Sequence, residues 1–218
     1  MEPSQVTAVI LTRDEERNLP RAMTSLPHGM NALVLDAQSE DGTVSYARRA
    51  GARVIDRAWT DFVDARRFAL AQVTTPWVLM LDADEALDDV LRDAIIAAPE
   101  TAIGYIVRRT TYFHGKPLRM WSHEPLLRLV RCDAARIEAR PAAGGEAALH
   151  ERLVCDGTQV ELRGELLHYS YPDYESYRRK YRTYTSLEAA GSRRSVAHAL
   201  LFSLLAPARY AWNLIRRG

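Results

Sequence analysis

The first half of the chain alternates short apolar runs with segments of helical periodicity. Residues 6–11 form a continuous β-rich apolar run, which predicts a strand buried on both faces, and residues 18–25 follow with helical character. Strands alternating with helices indicate parallel strands joined by right-handed crossovers. We therefore predict an α/β fold for this half. The further predicted elements are strands at 32–35, 53–55 and 77–81 and helices at 43–50 and 62–73.

The second half has a different pattern, in which β-type runs follow one another without helices between them. The runs are 103–109, 126–131, 152–155 and 159–162. This arrangement predicts an antiparallel or mixed part of the sheet. Asp156-Gly157, between the last two runs, is a tight-turn signal. Residues 141–145 are small, and we expect a mobile loop near any site.

The C-terminal segment combines an aromatic stripe with an apolar run. Aromatic residues from Tyr174 onward recur at helical spacing, a pattern typical of a packed helix face and, less often, of a ligand face. Residues 196–215 contain an apolar run flanked by paired arginines, and the run is too short and interrupted to span a bilayer. An interfacial membrane helix and a helix packed on the domain are both open. We predict a main domain at 1–170 and a helical extension, a candidate for membrane contact, at 171–218.

Composition narrows these possibilities only modestly. A chain of 218 residues, 47% of them hydrophobic, suits one main domain. The net charge of +1 gives no reason to expect nucleic acid as a partner. The two cysteines, Cys132 and Cys155, have neither zinc-site nor disulfide-framework spacing. The N-terminus lacks a secretory-signal pattern, so we expect the main domain in the cytoplasm. The arginine-flanked C-terminal segment favours the inner face of the cell membrane.

The sharpest chemical signal is an acidic group directly after a buried strand. Residues 78–81 are apolar, and Asp82, Asp84 and Glu85 follow at once. Ligands of open α/β sheets bind outside the carboxyl ends of strands. Two aspartates one residue apart can bind Mg²⁺ or Mn²⁺, with phosphate oxygens completing the coordination shell. Such acids can also be a chance surface feature, so other positions have to support the metal site.

Two further strands end in polar residues that belong to the same predicted edge. Asp36 closes the second strand, and Thr12 and Glu15 lie at and after the end of the first. Since parallel strands deliver their carboxyl ends to one rim, these residues favour a nucleotide pocket over three unrelated surface loops.

Together these motifs resemble family 2 glycosyltransferases, in the subgroup similar to lipopolysaccharide-core glucosyltransferases. The resemblance covers about residues 6–190. The matching stretches are 9–16, 36–43, 64–69, 81–85, 127–131, 150–151 and 167–171. The resemblance implies a GT-A (Rossmann-like) fold: a mixed, mainly parallel central sheet flanked by helices, here with a C-terminal helical extension.

The resemblance also implies roles for residues of the nucleotide site. Thr12 and Glu15 match residues that line the nucleoside, and Asp36 matches one that bonds the base or the ribose. Arg66 matches an arginine facing the nucleotide, although a solvated helix arginine is the simpler alternative. Asp82 and Asp84 match the motif in which one acid contacts ribose or sugar and the other binds Mg²⁺ or Mn²⁺.

An inverting transfer needs a base that takes the proton of the acceptor hydroxyl. By resemblance, Glu151 is the candidate, with His150 as an alternative base or diphosphate ligand and Glu85 as a lesser rival. A purely structural His-Glu pair is equally open. The positions resembling the sugar and acceptor pocket are Trp121, for which core packing is equally open, His123 and Arg128.

The resemblance implies transfer of a hexose from a UDP-sugar to a glycan or glycolipid acceptor, such as lipopolysaccharide core or another cell-envelope polysaccharide. Ala37-Gln38 depart from the family's usual small pair, which bears on the donor. One alternative is a sugar nucleotidyltransferase, but residues 11–18 contain no glycine for a triphosphate loop. The other is a non-catalytic membrane-surface binding module, with peripheral membrane contact through the C-terminal segment.

Overall fold

The N-terminal half folds as parallel strands joined by helices. A computed structural model describes residues 1–118, 122–139, 151–171, 173–178 and 182. In this half the strands β1 to β4 pair only in parallel with one another, in the order β3-β2-β1-β4, which confirms the predicted parallel strands. The elements are β1 (Val6–Thr12), α1 (Leu19–Ser25), β2 (Asn31–Asp36), α2 (Thr43–Arg49), β3 (Arg53–Asp56), α3 (Phe62–Ala71) and β4 (Trp77–Asp82).

The second half extends the same sheet with strands of both directions. The sheet continues from β4 in the order β8-β6-β11-β5, with β7 beside β6. β8 is antiparallel to β4 and β6, whereas β11 is parallel to β6 and antiparallel to β5. The predicted mixed sheet is therefore confirmed. The elements are β5 (Glu85–Leu87), α4 (Asp89–Ala97), β6 (Gly104–Phe113), β7 (Lys116–Pro117), β8 (Glu124–Arg131) and β11 (Gln159–Tyr171).

The two strands around Asp156-Gly157 do not form a hairpin with each other. β10 (Glu151–Val154) pairs with β9 (Arg136–Ala139) in a separate two-stranded sheet. β11 instead joins the main sheet and is 13 residues long, far beyond the predicted residues 159–162. The turn signal at Asp156-Gly157 thus marks a change of sheet. The sequence patterns also missed α4, β5 and β9.

Two apolar cores lie on opposite faces of the main sheet. One contains Leu19 of α1, Ala47 of α2 and Leu91 of α4. The other contains Ala69 of α3 and Leu153 of β10, so the small sheet packs on the α3 face. β1 supplies residues to both cores and is buried along nearly its whole length, as its apolar run predicts. Both cysteines are free thiols.

The registers of the parallel strands bring their polar ends to one edge. Thr12 lies opposite Asp36, and its neighbour Leu11 lies opposite Asp82. Asp36 lies opposite Asp56 at the end of β3. The convergence expected from the sequence therefore exists at the backbone level.

Several predictions concern residues outside the described set. These are the loop at 141–145, the stripe beyond residue 178 and the apolar segment at 196–215; of the predicted extension at 171–218, only 171, 173–178 and 182 are described. Among the helices of the described residues, none is long and apolar enough to cross a membrane.

Candidate functional site

Arg66 on α3 joins two predicted site residues. Asp61 caps α3 by accepting a hydrogen bond from the Asp64 backbone N–H at 2.8 Å, which places the first turn of the helix beside the sheet edge. Arg66, only 4% exposed, donates from Nη2 to Asp82 and from Nε to Glu151 Oε1 at 2.5 Å. The guanidinium therefore links the end of β4 to the start of β10.

Arg128 on β8 contacts the second carboxylate oxygen of Asp82 and also contacts Glu85. Its Nη2 donates to Glu85 Oε1 at 2.6 Å and to Asp82 Oδ2 at 3.2 Å. Arg109 Nη1 reaches Glu85 Oε1 at 3.4 Å, and Glu85 Oε2 accepts from the Asp82 backbone N–H at 3.0 Å. Buried carboxylates are tolerated when they are paired in this way.

The electrostatics of this cluster differ between its two acids. Burial works against the charged form of Asp82, but Arg66 and Arg128 outweigh it and hold the pKa of this carboxyl well below its usual range. Glu85 is fully buried, and this burial, aided by the Asp82 charge, raises its pKa despite Arg128. The acids also raise the pKa of both guanidinium groups against the effect of burial.

Asp84 lies beside a histidine to which the sequence patterns gave no role. His168 Nε2 is 3.4 Å from Asp84 Oδ2, and both side chains are 15% exposed. The Thr111 hydroxyl is 3.2 Å from His168 Nδ1 and orients the ring from its other side. β11 places His168 here because its register sets this residue opposite Glu85 of β5.

Asp84 and His168 are the described residues best suited to hold a metal. Two ligand atoms at right angles on an octahedral ion, each about 2.1 Å from it, lie about 3 Å apart. The observed 3.4 Å separation is close to that value. The described part of the chain contains no group of three or more His, Cys, Asp or Glu side chains that could hold an ion. Magnesium sites commonly complete their coordination shell with substrate oxygens and water.

Thr12 and Asp36 form a second group at the ends of β1 and β2. The Thr12 hydroxyl donates to Asp36 Oδ1 at 2.7 Å, and Ser39 donates to both carboxylate oxygens from its hydroxyl at 2.6 Å and its backbone N–H at 2.8 Å. Glu15 accepts from the Asn18 side-chain amide at 2.8 Å. These bonds hold the residues that follow β1 and β2 in place, as expected of a ligand site that is formed before the ligand binds.

The remaining predicted residues lie away from this geometry or outside the described set. His123 precedes β8, and its Nδ1 lies 3.2 Å from Glu165 with the ring 65% exposed. Trp121 and His150 fall outside the described residues. Of the predicted site, the structure thus brings Arg66, Asp82, Arg128 and Glu151 together.

The sequence patterns missed His168 and Arg109 because strand pairing alone brings them to the acids. His168 lies more than 80 positions after Asp84 in the chain, and no local motif connects the two. The available signal was the matching stretch 167–171, which contains His168 but gives this histidine no role.

Comparison with known proteins decides the family. The family model described as "Glycosyl transferase family 2" matches residues 7–182. The chain belongs to glycosyl transferase family 2. The match spans all the described site residues, and this family differs from the nucleotidyltransferase alternative.

Curated relatives agree with this assignment. The lipopolysaccharide core biosynthesis glycosyltransferase LpsC of Rhizobium meliloti is 29% identical over 175 residues, covering 75% of this chain and 63% of LpsC. An uncharacterized glycosyltransferase of Rickettsia felis is 35% identical over 92 residues, covering 42% of this chain and 32% of the relative. The chain therefore spans less than two thirds of the length of these relatives.

Among solved structures, the S. aureus protein TarS has a similar fold. Its crystal structure aligns over 88% of this chain and 41% of TarS, with a TM-score of 0.51 and 15% identity. At this identity the likeness concerns the fold alone. It agrees with the GT-A architecture expected from the resemblance.

Proposed function

We propose that this protein is a metal-dependent inverting glycosyltransferase that moves a hexose from a UDP-sugar to a glycan or glycolipid acceptor. The observation that carries the proposal is the Asp84–His168 pair, 3.4 Å apart, beside an Asp82 braced by two arginines. The pair lies next to the carboxyl end of β4, where ligands of open α/β sheets bind.

The proposed cofactor is Mg²⁺ or Mn²⁺, held by Asp84 and His168. A bound divalent ion stabilises the negative charge that develops on a departing diphosphate. Asp82, already paired with Arg66 and Arg128, acts in this proposal as the acid that contacts ribose or sugar. In this proposal Asp82 contributes less than Asp84 to binding the ion, because both of its carboxylate oxygens already accept hydrogen bonds from arginines.

The nucleoside is proposed to lie along the ends of β1 and β2, against Thr12, Glu15 and Asp36. Arg66 is suited to a phosphate because its guanidinium is planar and always charged. A diphosphate bound there would compete with Glu151 for the Arg66 Nε donor.

Glu151 is the preferred general base. Its side chain is 16% exposed, and its carboxylate pairs with Arg66. Glu85, the rival, has no exposed side-chain surface and is held by Arg128 and the Asp82 backbone. An acceptor hydroxyl can therefore approach Glu151 but not Glu85. A bound diphosphate that attracts Arg66 would break its pair with Glu151. The Glu151 carboxylate would then be available to accept the proton of the acceptor hydroxyl.

The proposed acceptor is lipopolysaccharide core or another cell-envelope polysaccharide, which follows from the similarity to LpsC, a lipopolysaccharide core biosynthesis glycosyltransferase. Arg128, with Trp121 and His123, remains the predicted sugar and acceptor pocket.

The decisive experiment measures metal-dependent nucleotide binding. We expect calorimetry to show UDP binding to the wild-type protein in the presence of Mn²⁺ and its loss on addition of EDTA. Asp84→Ala and His168→Ala should each lose this binding, and with it hydrolysis across a panel of nucleotide-sugars. Asp133→Ala is a matched control, because Asp133 pairs with Arg131 at the surface.

Two results would count against the proposal. Full transfer activity in Asp84→Ala would remove the metal site. A wild-type protein that folds but shows no metal-dependent UDP binding would favour the non-catalytic binding module instead.

A further inference from the structure

The strand that carries His168 loses its regular backbone pairing at that residue. β11 pairs with β5 from Leu166 to His168, and its parallel register with β6 shifts between His168 and Tyr171. Irregular pairing of this kind can redirect a side chain, but it also interrupts the ladder of backbone hydrogen bonds that would hold the strand in place. Other contacts of β11 at this point therefore bear on where His168 lies relative to Asp84.

Tyr169, the next residue of β11, connects the strand directly to the acid of the proposed metal pair. Its backbone N–H donates to the Asp84 carbonyl at 2.8 Å. Its ring lies on the opposite face of the sheet from the His168 ring, because successive side chains of a strand alternate between faces. The neighbouring strand β6 shows the same alternation, since Thr111 contacts His168 and Tyr112 contacts Tyr169.

Two side chains hold the Tyr169 ring on that face. The centroids of the Tyr169 and Tyr112 rings are 5.1 Å apart with their planes at 25°, and the guanidinium carbon of Arg21 lies 3.9 Å from the centroid of the Tyr169 ring. Stacked aromatic pairs and arginines over aromatic faces both stabilise the arrangement they form. The side chain of Tyr169 thus fastens β11 to β6 and to α1 where the backbone pairing is irregular.

The helix that supplies Arg21 is itself tied to the strand that follows Asp84. Ser25, the last residue of α1, is buried, and its hydroxyl accepts a hydrogen bond from the Leu87 backbone N–H of β5 at 3.0 Å. Arg21 lies four residues before Ser25 and therefore on the same side of the helix. Arg21 thus holds Tyr169 from a helix that is anchored next to Asp84.

We propose that Tyr169 is a positioning residue for the metal pair, which fixes the distance between the Asp84 carboxylate and the His168 imidazole. The contacts of its ring with Arg21 and Tyr112 keep β11 in the required place. This inference rests on the proposed function, in which Asp84 and His168 bind the divalent ion. Residues that orient metal ligands without touching the metal strongly affect metal affinity. The face of the sheet opposite the site therefore contributes to metal binding.

The first test measures Mn²⁺ affinity in a fixed excess of UDP, from the electron paramagnetic resonance signal of free Mn²⁺. Tyr169→Ala should weaken Mn²⁺ binding by about tenfold or more, because the loss of the ring frees β11 to shift His168. Tyr169→Phe keeps the ring and both of its contacts, so it should bind Mn²⁺ as the wild-type protein does. Arg21→Leu removes the guanidinium alone and should weaken binding by about two- to fivefold.

A second measurement shows whether His168 is still a ligand of the bound ion. Pulsed electron paramagnetic resonance detects an imidazole nitrogen bound to Mn²⁺ through its magnetic coupling to the ion. The wild-type protein and Tyr169→Phe should show this nitrogen signal, and His168→Ala should lack it. In Tyr169→Ala the signal should be weakened, because the imidazole no longer lies at the distance that binding requires. A general loss of stability would not change the signal of the protein that does bind Mn²⁺.

The matched control for Arg21→Leu is Arg92→Leu. Arg92 belongs to α4, which packs on the same face of the sheet as α1, and pairs with Asp89 of its own helix at 2.8 Å. Its replacement should leave both the Mn²⁺ affinity and the nitrogen signal unchanged. Circular dichroism reports on the folding of each variant. If Tyr169→Ala does not fold, Arg21→Leu decides the question, and unchanged Mn²⁺ affinity in that variant would overturn the inference.

Three other results would overturn the inference while the proposed function stands. One is wild-type Mn²⁺ affinity in a folded Tyr169→Ala variant. Another is a loss of affinity in Tyr169→Phe as large as the loss in Tyr169→Ala. The third is a full nitrogen signal in a Tyr169→Ala variant that binds Mn²⁺ weakly. Absence of Mn²⁺ binding by the wild-type protein in the presence of UDP would instead overturn the proposed function itself.

Discussion

At the residue scale, the centre of the site is a network of acids and arginines instead of a single motif. Arg66 and Arg128 both contact Asp82, and Arg128 also contacts Glu85. In water such pairs contribute little, but in a buried setting removal of one member leaves a charge without compensation. The residues next to the proposed metal pair should therefore matter for stability as well as for binding.

Glu85 provides the test of that expectation. Glu85→Ala removes a fully buried carboxylate that accepts from Arg128 at 2.6 Å, and should lower the free energy of unfolding by about 3–5 kcal/mol. Urea denaturation followed by circular dichroism measures the change. The control is Glu161→Ala, which breaks an exposed pair with Arg108 and should lower the free energy of unfolding far less, because water screens such pairs. Equal losses in the two variants would show that burial of the network has no special effect.

At the element scale, β11 determines where the histidine of the site lies. The strand pairs with β6 along its length and with β5 near its centre, and its register is interrupted between Glu161 and Glu165. Gly164 lies in this interruption with φ +90°. The irregularity lets one long strand both pair with β6 and β5 and contact the start of α4.

A substitution at Gly164 should disrupt this arrangement. A Cβ there would lie 2.2 Å from the Leu91 backbone nitrogen and 2.6 Å from Asp88 Oδ1, the cap of α4, in a backbone conformation that already disfavours side chains. Gly164→Ala should therefore destabilise the protein by at least about 3 kcal/mol, combining left-handed strain with loss of the cap. Thermal unfolding measures the loss.

Gly51 is the matched control for backbone strain alone. It has φ +84° and nothing within 4 Å of an added Cβ. Gly51→Ala should cost only about 1–2 kcal/mol. If both glycine variants unfold at the same temperature, the close contact with α4 is not what requires glycine in β11.

At the scale of the whole molecule, the family match extends to residue 182, and the segment beyond it differs in character. Residues 196–215 combine an apolar run with flanking arginines, a pattern that predicts contact with an anionic membrane surface. Such contact would bring the site close to a glycolipid acceptor. It remains a prediction from the sequence, for residues that the structure does not describe.

Co-sedimentation with vesicles tests the membrane prediction. The full chain should bind vesicles containing phosphatidylglycerol more strongly than vesicles of phosphatidylcholine alone, because basic residues are attracted to anionic lipid. A chain truncated after Gly191 should remain in the supernatant with both. Unchanged partitioning of the truncated chain would contradict the prediction and favour a segment packed on the domain.

The sequence by itself determined the parallel half of the fold and the edge where the site lies. Hydrophobic periodicity and chain order are local properties, and parallel strands must present their ends at one edge, so Asp36 and Asp82 could be placed from the sequence alone. The tertiary structure decided what local patterns do not encode. The pairing of β11 with β5 brought His168 to Asp84, the separate β9–β10 sheet brought Glu151 to Arg66, and the position of α1 brought Arg21 to Tyr169. These contacts join distant positions, and strand register, which depends on the whole sheet, determines them.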